Sequence, residues 1–189
     1  MADLISQIKT PDNTTYDLQD KISTFGGTNL FKYDGLRFYN QEYQLANYNN
    51  AGSFTQFTNS LQFDPSKTVG QQYTISFDVI SPNGSTNVQL YNSNGNPKYF
   101  YFSAGNVATN IGNSWVHINK TITNVQYSGS NTPSTNEQQW RRIEIYAPSQ
   151  MGVKIRNVKV EMGIKPTEWT PAPQDLVIYN GTDTIEFFQ

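Results

Sequence analysis

Val153-Lys-Ile-Arg-Asn-Val-Lys-Val-Glu-Met-Gly-Ile-Lys-Pro-Thr-Glu-Trp-Thr-Pro-Ala-Pro-Gln-Asp175 contains a strand and the route by which the chain leaves it. Val153 and Ile155 alternate with charged neighbours, and Val158 and Val160 resume the alternation after a one-residue slip at Arg156-Asn157. Strand side chains repeat with period two, so the slip predicts a β-bulge. Pro166, Pro171 and Pro173 follow. Proline can neither donate to a ladder nor sit inside a helix. The chain is therefore expected to run extended across the surface, with Trp169 as the large apolar group that pins it.

Working outward, the same period recurs. Tyr73, Ile75, Phe77 and Val79 alternate with Thr74, Ser76 and Asp78, which gives one core face and one solvated face. Pro82-Asn-Gly84 is turn chemistry. Val88 and Leu90 are read as inward, with Gln89 and Tyr91 outward. Asn94-Gly95 predicts a tight hairpin, because a primed turn needs positive φ at its centre. Beyond it Phe100 and Phe102 are expected inside, with Tyr99 and Tyr101 facing the other way. The stretch from Trp115 to Thr123 reads as a strand with Val116, Ile118 and Ile122 on one side and Trp115, His117 and Asn119 on the other. Ser128 to Asn136 is a loop by composition. Ile143 and Ile145 then point inward, opposite Trp140, Arg142, Glu144 and Tyr146. Residues 35–60 are rich in aromatic and Asn residues, which fit short strands and long loops, since Asn and Gly are poor helix formers. Strands at regular spacing without a helical period predict an all-β sandwich.

Composition agrees. The chain has 189 residues, 12 Tyr and 11 Phe, with 36% hydrophobic and 15% charged residues and a formal net charge of -2. The length suits one domain with short appendages. A surface so poor in charge lacks the basic stripe that nucleic acid requires. There is no cysteine, hence no disulfide and no thiolate chemistry. No stretch approaches the ~20 apolar residues of a membrane span, and the N-terminus lacks the pattern of a signal peptide. Synthesis in a cytoplasm is the expectation, with neither nucleic acid nor membrane as partner.

The ends are read as separate units. Residues 1–27 form an N-terminal arm: Leu4, Ile5 and Ile8 precede the turn residues Pro11-Asp-Asn13, and Tyr16 and Leu18 follow, which predicts a small hairpin before Gly26-Gly27. A lone hairpin is marginal in water, so the arm is expected to dock on something else. The other reading is a strand of the main sheet. Residues 176–189 predict a C-terminal hairpin on Asn180-Gly181. The module proper is assigned to 28–175.

Val158-Lys-Val-Glu-Met-Gly163 and the exit Lys165-Pro-Thr-Glu-Trp-Thr-Pro-Ala-Pro-Gln-Asp175 resemble the closing segment of carbohydrate-binding modules in tail and baseplate proteins of phages infecting Gram-positive bacteria. The opening Thr28-Asn-Leu-Phe31 is similar to the start of those modules. Ile8-Lys9, Pro11-Asp12, Thr14-Thr-Tyr-Asp-Leu18 and Asp20-Lys21 are similar to openings of phage tail and fibre proteins. The resemblance implies a jelly roll of two antiparallel sheets with terminal hairpin extensions. It implies non-catalytic binding of a host cell-surface or cell-wall polysaccharide by an accessory adhesion protein of the virion tail or baseplate. Its partners would be that polysaccharide, other tail or baseplate proteins and further copies of itself in a homo-oligomer. A purely structural virion decoration protein without sugar binding is the alternative. Trp115 and Trp169 are structural by the same resemblance. Many such modules hold calcium through an acidic residue of the last strand, but the matching Asn157 brings no charge. No metal or cofactor is expected.

The residues themselves offer little catalysis. His117 is the single histidine and has no nucleophile motif beside it. A carboxylate pair for glycoside hydrolysis would have to come from residues such as Asp78, Glu144 or Glu161, and no motif singles two out. Sugars are held by aromatic rings against their C–H faces and by planar amide or charged groups on their hydroxyls. Trp140, Arg142, Tyr146, Tyr91, Tyr99, Tyr101, Gln89 and Asp78 have that mixture on outward positions and are the candidate ligand-binding residues. The alternative is that loops or a subunit contact cover these rings.

Overall fold

A computed structural model describes residues 7–9, 15–17, 27–92, 98–101, 105–127 and 141–173. An N-terminal hairpin pairs β1 (Gln7–Lys9) with β2 (Thr15–Asp17), placing Ile8 opposite Tyr16. The sandwich has two antiparallel sheets. Sheet A is four-stranded: β10 (Val116–Thr123), β6 (Gln72–Ile80), β13 (Lys154–Met162) and β3 (Tyr43–Gln44) in that order. Sheet B is five-stranded: β4 (Ala46–Tyr48), β5 (Gly52–Phe57), β12 (Ile143–Ala147), β7 (Thr86–Tyr91) and β9 (Asn106–Ile111). From β5 onward the chain crosses to A at β6, back to B at β7, to A at β10, to B at β12 and to A at β13. This is the jelly-roll pattern of an all-β sandwich, and no α-helix occurs among the described residues.

Most inward positions read from the alternation form the core; Val116, expected beside Ile118 and Ile122, is instead 37% exposed, and the side chains of Phe100 and Phe102 lie outside the described residues. Tyr73, Ile75, Phe77 and Val79 of β6 face Phe57, Ile143, Ile145, Val88 and Leu90 of sheet B, all fully buried. Burying each such side chain contributes about 1.5–3 kcal/mol, and the edge-to-face contact of Phe31 with Phe57 at 5.7 Å adds shape to the packing.

The expected bulge is present. Along β13 the register advances from Arg156 to Lys159 while β6 advances only from Asp78 to Ser76, so one residue is extra. Asn157 sits there at φ 53, a left-handed conformation that Asn tolerates better than most residues. The bulge resets the parity. Val158 and Val160 return to the core, and Lys159 and Glu161 are turned to the outer face. There the exit segment covers them: Lys159 Nζ donates to Thr167 Oγ1 and the Glu168 carbonyl at 2.6 Å each, and Thr167 N donates to Glu161 Oε1 at 2.8 Å. Trp169 pins the same segment by donating from Nε1 to the Val158 carbonyl at 3.1 Å. Asn29 ties in the opening of the module. Its Oδ1 accepts from Phe31 N and Val160 N, and its Nδ2 donates to the carbonyls of Val158 and Thr170.

The hairpin expected at Asn94-Gly95 falls on residues outside those described. β7 pairs with β12 and β9, whereas β8 (Lys98–Tyr101) pairs with β11 (Val125–Tyr127). Among the described residues β7 is flanked on both sides within sheet B. Residues 93–97, the loop expected at 128–136 and the hairpin expected at 176–189 lie outside the described residues.

Candidate functional site

The register of sheet B decides which outward side chains meet. Glu144 of β12 lies opposite Gln56 on one side and Tyr91 on the other. Tyr146 lies opposite Phe54 and Gln89, and Gln89 lies opposite Asn106. Two rows of side chains therefore cross the outer face, one reading Gln56, Glu144, Tyr91 and the other Phe54, Tyr146, Gln89, Asn106. Tyr48 closes over them from β4. Its ring centre is 5.4 Å from Phe54 and 5.6 Å from Tyr146, and Tyr146 is 6.5 Å from Tyr91. These rings and Glu144 line an open cleft of about 240 Å³.

The polar groups are oriented by one another. Gln56 Nε2 donates to Glu144 Oε1 at 3.0 Å, Gln89 Nε2 donates to Asn106 Oδ1 at 3.0 Å, and the Tyr91 hydroxyl donates to Gln89 Oε1. Burial, reinforced by the neighbouring Tyr146 and Glu144, pushes the Tyr91 phenol up, so it stays a neutral donor.

Arg142 stands on the face that the alternation assigns, but its expected exposure is corrected. The residue is only 2% exposed, and its guanidinium Nη2 pairs with Glu144 Oε1. Burial lowers the Arg142 pKa, and the attraction of Glu144 opposes that shift. A buried guanidinium held by a carboxylate orients that carboxylate. It is not a free fork on the surface.

Of the other candidates, Tyr91 and Tyr146 line the cleft, and Gln89 accepts from the Tyr91 hydroxyl beside it. Asp78 does not join them, because β6 belongs to sheet A. There it accepts from Arg156 Nε at 3.2 Å and Asn157 Nδ2 at 2.8 Å, and His117 Nδ1 lies 2.7 Å from its Oδ1. Tyr99 and Tyr101 are on β8, paired with β11, and their side chains lie outside the described residues, as does Trp140 altogether. Sequence reasoning left out Tyr48, Phe54, Gln56 and Asn106. The alternation within Gly52–Phe57 could have placed Phe54 and Gln56 outward once Phe57 was read as core; no comparable signal marks Tyr48 or Asn106.

The Asp78–His117 contact has the form of a carboxylate orienting a base. Among the described residues no Ser or Thr hydroxyl is hydrogen-bonded to His117, and no cluster of three or more acidic, His or Cys residues is placed to hold a metal ion.

The chain matches no protein-family model and no curated protein. Among solved structures it is similar to the tripod from the baseplate of bacteriophage Tuc2009, with 16% identity, 80% of this chain and 61% of that chain covered, and a TM-score of 0.49. It thus spans about 61% of that chain's length. It is also similar to a CBM4 structure, with 10% identity, 65% of this chain and 93% of that chain covered, and a TM-score of 0.36.

Proposed function

We propose that the chain is a non-catalytic glycan-binding module that uses the outer face of sheet B, in an accessory adhesion protein of a phage tail or baseplate. The observation that carries the reading is the ring of Tyr48, Phe54, Tyr91 and Tyr146 around the oriented carboxylate of Glu144. Phenolic and phenyl rings pack against the C–H faces of a pyranose, and the carboxylate and the amides of Gln56 and Gln89 bond its hydroxyls. The resemblance of Val158–Asp175 and Thr28–Phe31 to modules of phages infecting Gram-positive bacteria supports a cell-wall or surface polysaccharide as ligand. The hairpin of β1 and β2, whose strands pair with each other, supports a docking role for the arm on other tail proteins. A shallow open cleft gives weak single-site affinity, and many copies on one virion raise it by multivalency.

A fluorescent fusion of the whole chain, tested on host cells and on glycan arrays, checks this. Binding that falls about tenfold in Tyr146→Ala with the fold intact supports the reading. A folded protein that labels no host strain and no glycan removes it and leaves a structural virion part.

A further inference from the structure

We propose that the outer face of sheet A carries a second saccharide site, for a neutral sugar, independent of the cleft on sheet B. A cavity of about 480 Å³ opens there, twice the size of the first and within the range of sites that hold small ligands. Its walls and floor include Tyr39, Trp169, Asp78, His117, Asn119 and Glu168.

The rings are arranged for contact. Tyr39 and Trp169 stand 5.7 Å apart at 44°, an angled wall instead of a mutually satisfied stack. The indole is immobilised by its bond to the Val158 carbonyl. Tyr39 is 55% exposed. It is held out by its neighbour Asn40, at φ 59, which is locked to the bulge: Asn40 N donates to Asn157 Oδ1 at 2.7 Å, and Asn157 Nδ2 donates to Asn40 Oδ1 at 3.1 Å. Asn40 and Asn157 are both in the left-handed region and are bonded to each other.

The polar floor is equally ordered. Cross-strand register sets His117 opposite Asp78 and Asn119 opposite Ser76. His117 Nδ1 is engaged by Asp78, so among the described residues Nε2 is left for a ligand, and the Asn119 amide likewise has no protein partner there. An imidazole nitrogen and a planar amide below an aromatic wall match the hydroxyls and the C–H face of one pyranose. The charges select against acidic sugars. Asp78 and Glu168 line the cavity, while Arg156 is committed to Asp78 and to the Trp115 ring, and Lys159 is fully buried beneath Thr167.

The test uses NMR on the full chain, following the indole N–H signal of Trp169. The probes are neutral oligosaccharides built from glucose, galactose, rhamnose and N-acetylglucosamine, with a glucuronic acid oligomer as the acidic arm. The expected result is a saturable shift of the Trp169 signal by at least one neutral oligosaccharide and none by the acidic one. That shift should weaken tenfold or more in Tyr39→Ala and in Asn119→Ala, both exposed positions, and persist in Tyr146→Ala. A Trp169 signal that no neutral sugar moves overturns the proposal, whatever happens in the cleft on sheet B. A shift unaffected by both Tyr39→Ala and Asn119→Ala, or one abolished by Tyr146→Ala, also overturns it. Loss of cell binding in Tyr146→Ala with the Trp169 response kept separates failure of one site from failure of the other.

Discussion

Lys159 Nζ lies 3.6 Å from Glu161 Oε2 on the outer face of β13, and the two side chains are 0% and 1% exposed. Buried charges persist only when paired and hydrogen-bonded, and both are: the exit segment supplies Thr167 and the Glu168 carbonyl. Burial lowers the Lys159 pKa, and Glu161 opposes the shift. The pair therefore fastens the segment that carries Trp169. Gly27 belongs to the same joint, since a Cβ there would collide with the Glu161 carboxylate.

Breaking this pair on one side should be expensive. Lys159→Met leaves Glu161 buried without its cation, a change that costs about 3–5 kcal/mol. The double variant Lys159→Met with Glu161→Leu should lose clearly less than the sum of the two single changes. Denaturant titrations of the four proteins measure the coupling, and additive losses would mean that the two side chains act separately.

Asn157 makes a second prediction through backbone conformation. A left-handed residue with a Cβ costs roughly 1–2 kcal/mol, and each lost hydrogen bond adds about 1 kcal/mol. Asn157→Gly removes only the bonds to Asp78 and Asn40, whereas Asn157→Ala removes the bonds and adds strain. Stability should fall in the order wild type, Gly, Ala, with Val lowest because of its branch. If Ala melts above Gly, the bulge is not the reason for an Asn here.

The sequence made the strands legible because their alternation is driven by burial on one face, which acts residue by residue. Val153, Ile155, Val158 and Val160 disclose even the bulge, since a one-residue slip inverts every later side chain. Strand partnership was less visible. β7 is paired with β12 and β9, and such long-range partners leave no mark on the local sequence. The site shows the same limit. Parity put Tyr91, Tyr146 and Asp78 all outward, yet outward from sheet A and from sheet B are opposite surfaces. Arg142 was placed on the proper face, but nothing local told that the face would be covered.

A pH-dependent prediction rests on Asp64. Its carboxylate accepts from Ser66 Oγ at 2.6 Å and from Ser66 N at 3.0 Å, capping the short turn Pro65–Lys67. The Ser66 hydroxyl bond lowers the Asp64 pKa most. A folded value below the unfolded one, near ~3.9, means the unfolded state binds the proton first. The stabilisation is thus fully present above that pH and is lost as pH falls through the folded value. Asp64→Ala should cost about 1 kcal/mol at pH 7. Urea titrations at pH 7, 5 and 3 should show the gap to wild type narrowing at the lowest pH; a gap that stays constant would contradict the linkage.

Arg142 and Tyr146 separate the scaffold of the cleft from its contact surface. Arg142→Met strips the buried Glu144 of its cation and should lower stability by about 3–5 kcal/mol, whereas an exposed arginine would cost within ~0.5 kcal/mol. For a domain of this size, each kcal/mol corresponds to a melting shift of roughly 2–4 °C. Tyr146 is half-buried and touches Tyr48, Phe54 and Tyr91 only through ring edges and tilted contacts. Its removal should cost about 1–2 kcal/mol, less than the ~3–5 kcal/mol for emptying a fully buried aromatic site. Glycan affinity should respond in the opposite order when it is compared at a temperature where both variants are folded. Tyr146→Ala should weaken it about tenfold, near 1.4 kcal/mol. Arg142→Met should weaken it less, through a loosened Glu144. Melting curves and binding isotherms on the same preparations decide the matter. Should Arg142→Met melt like wild type and abolish binding, the guanidinium is itself a sugar ligand, and Glu144 is not what keeps it in place.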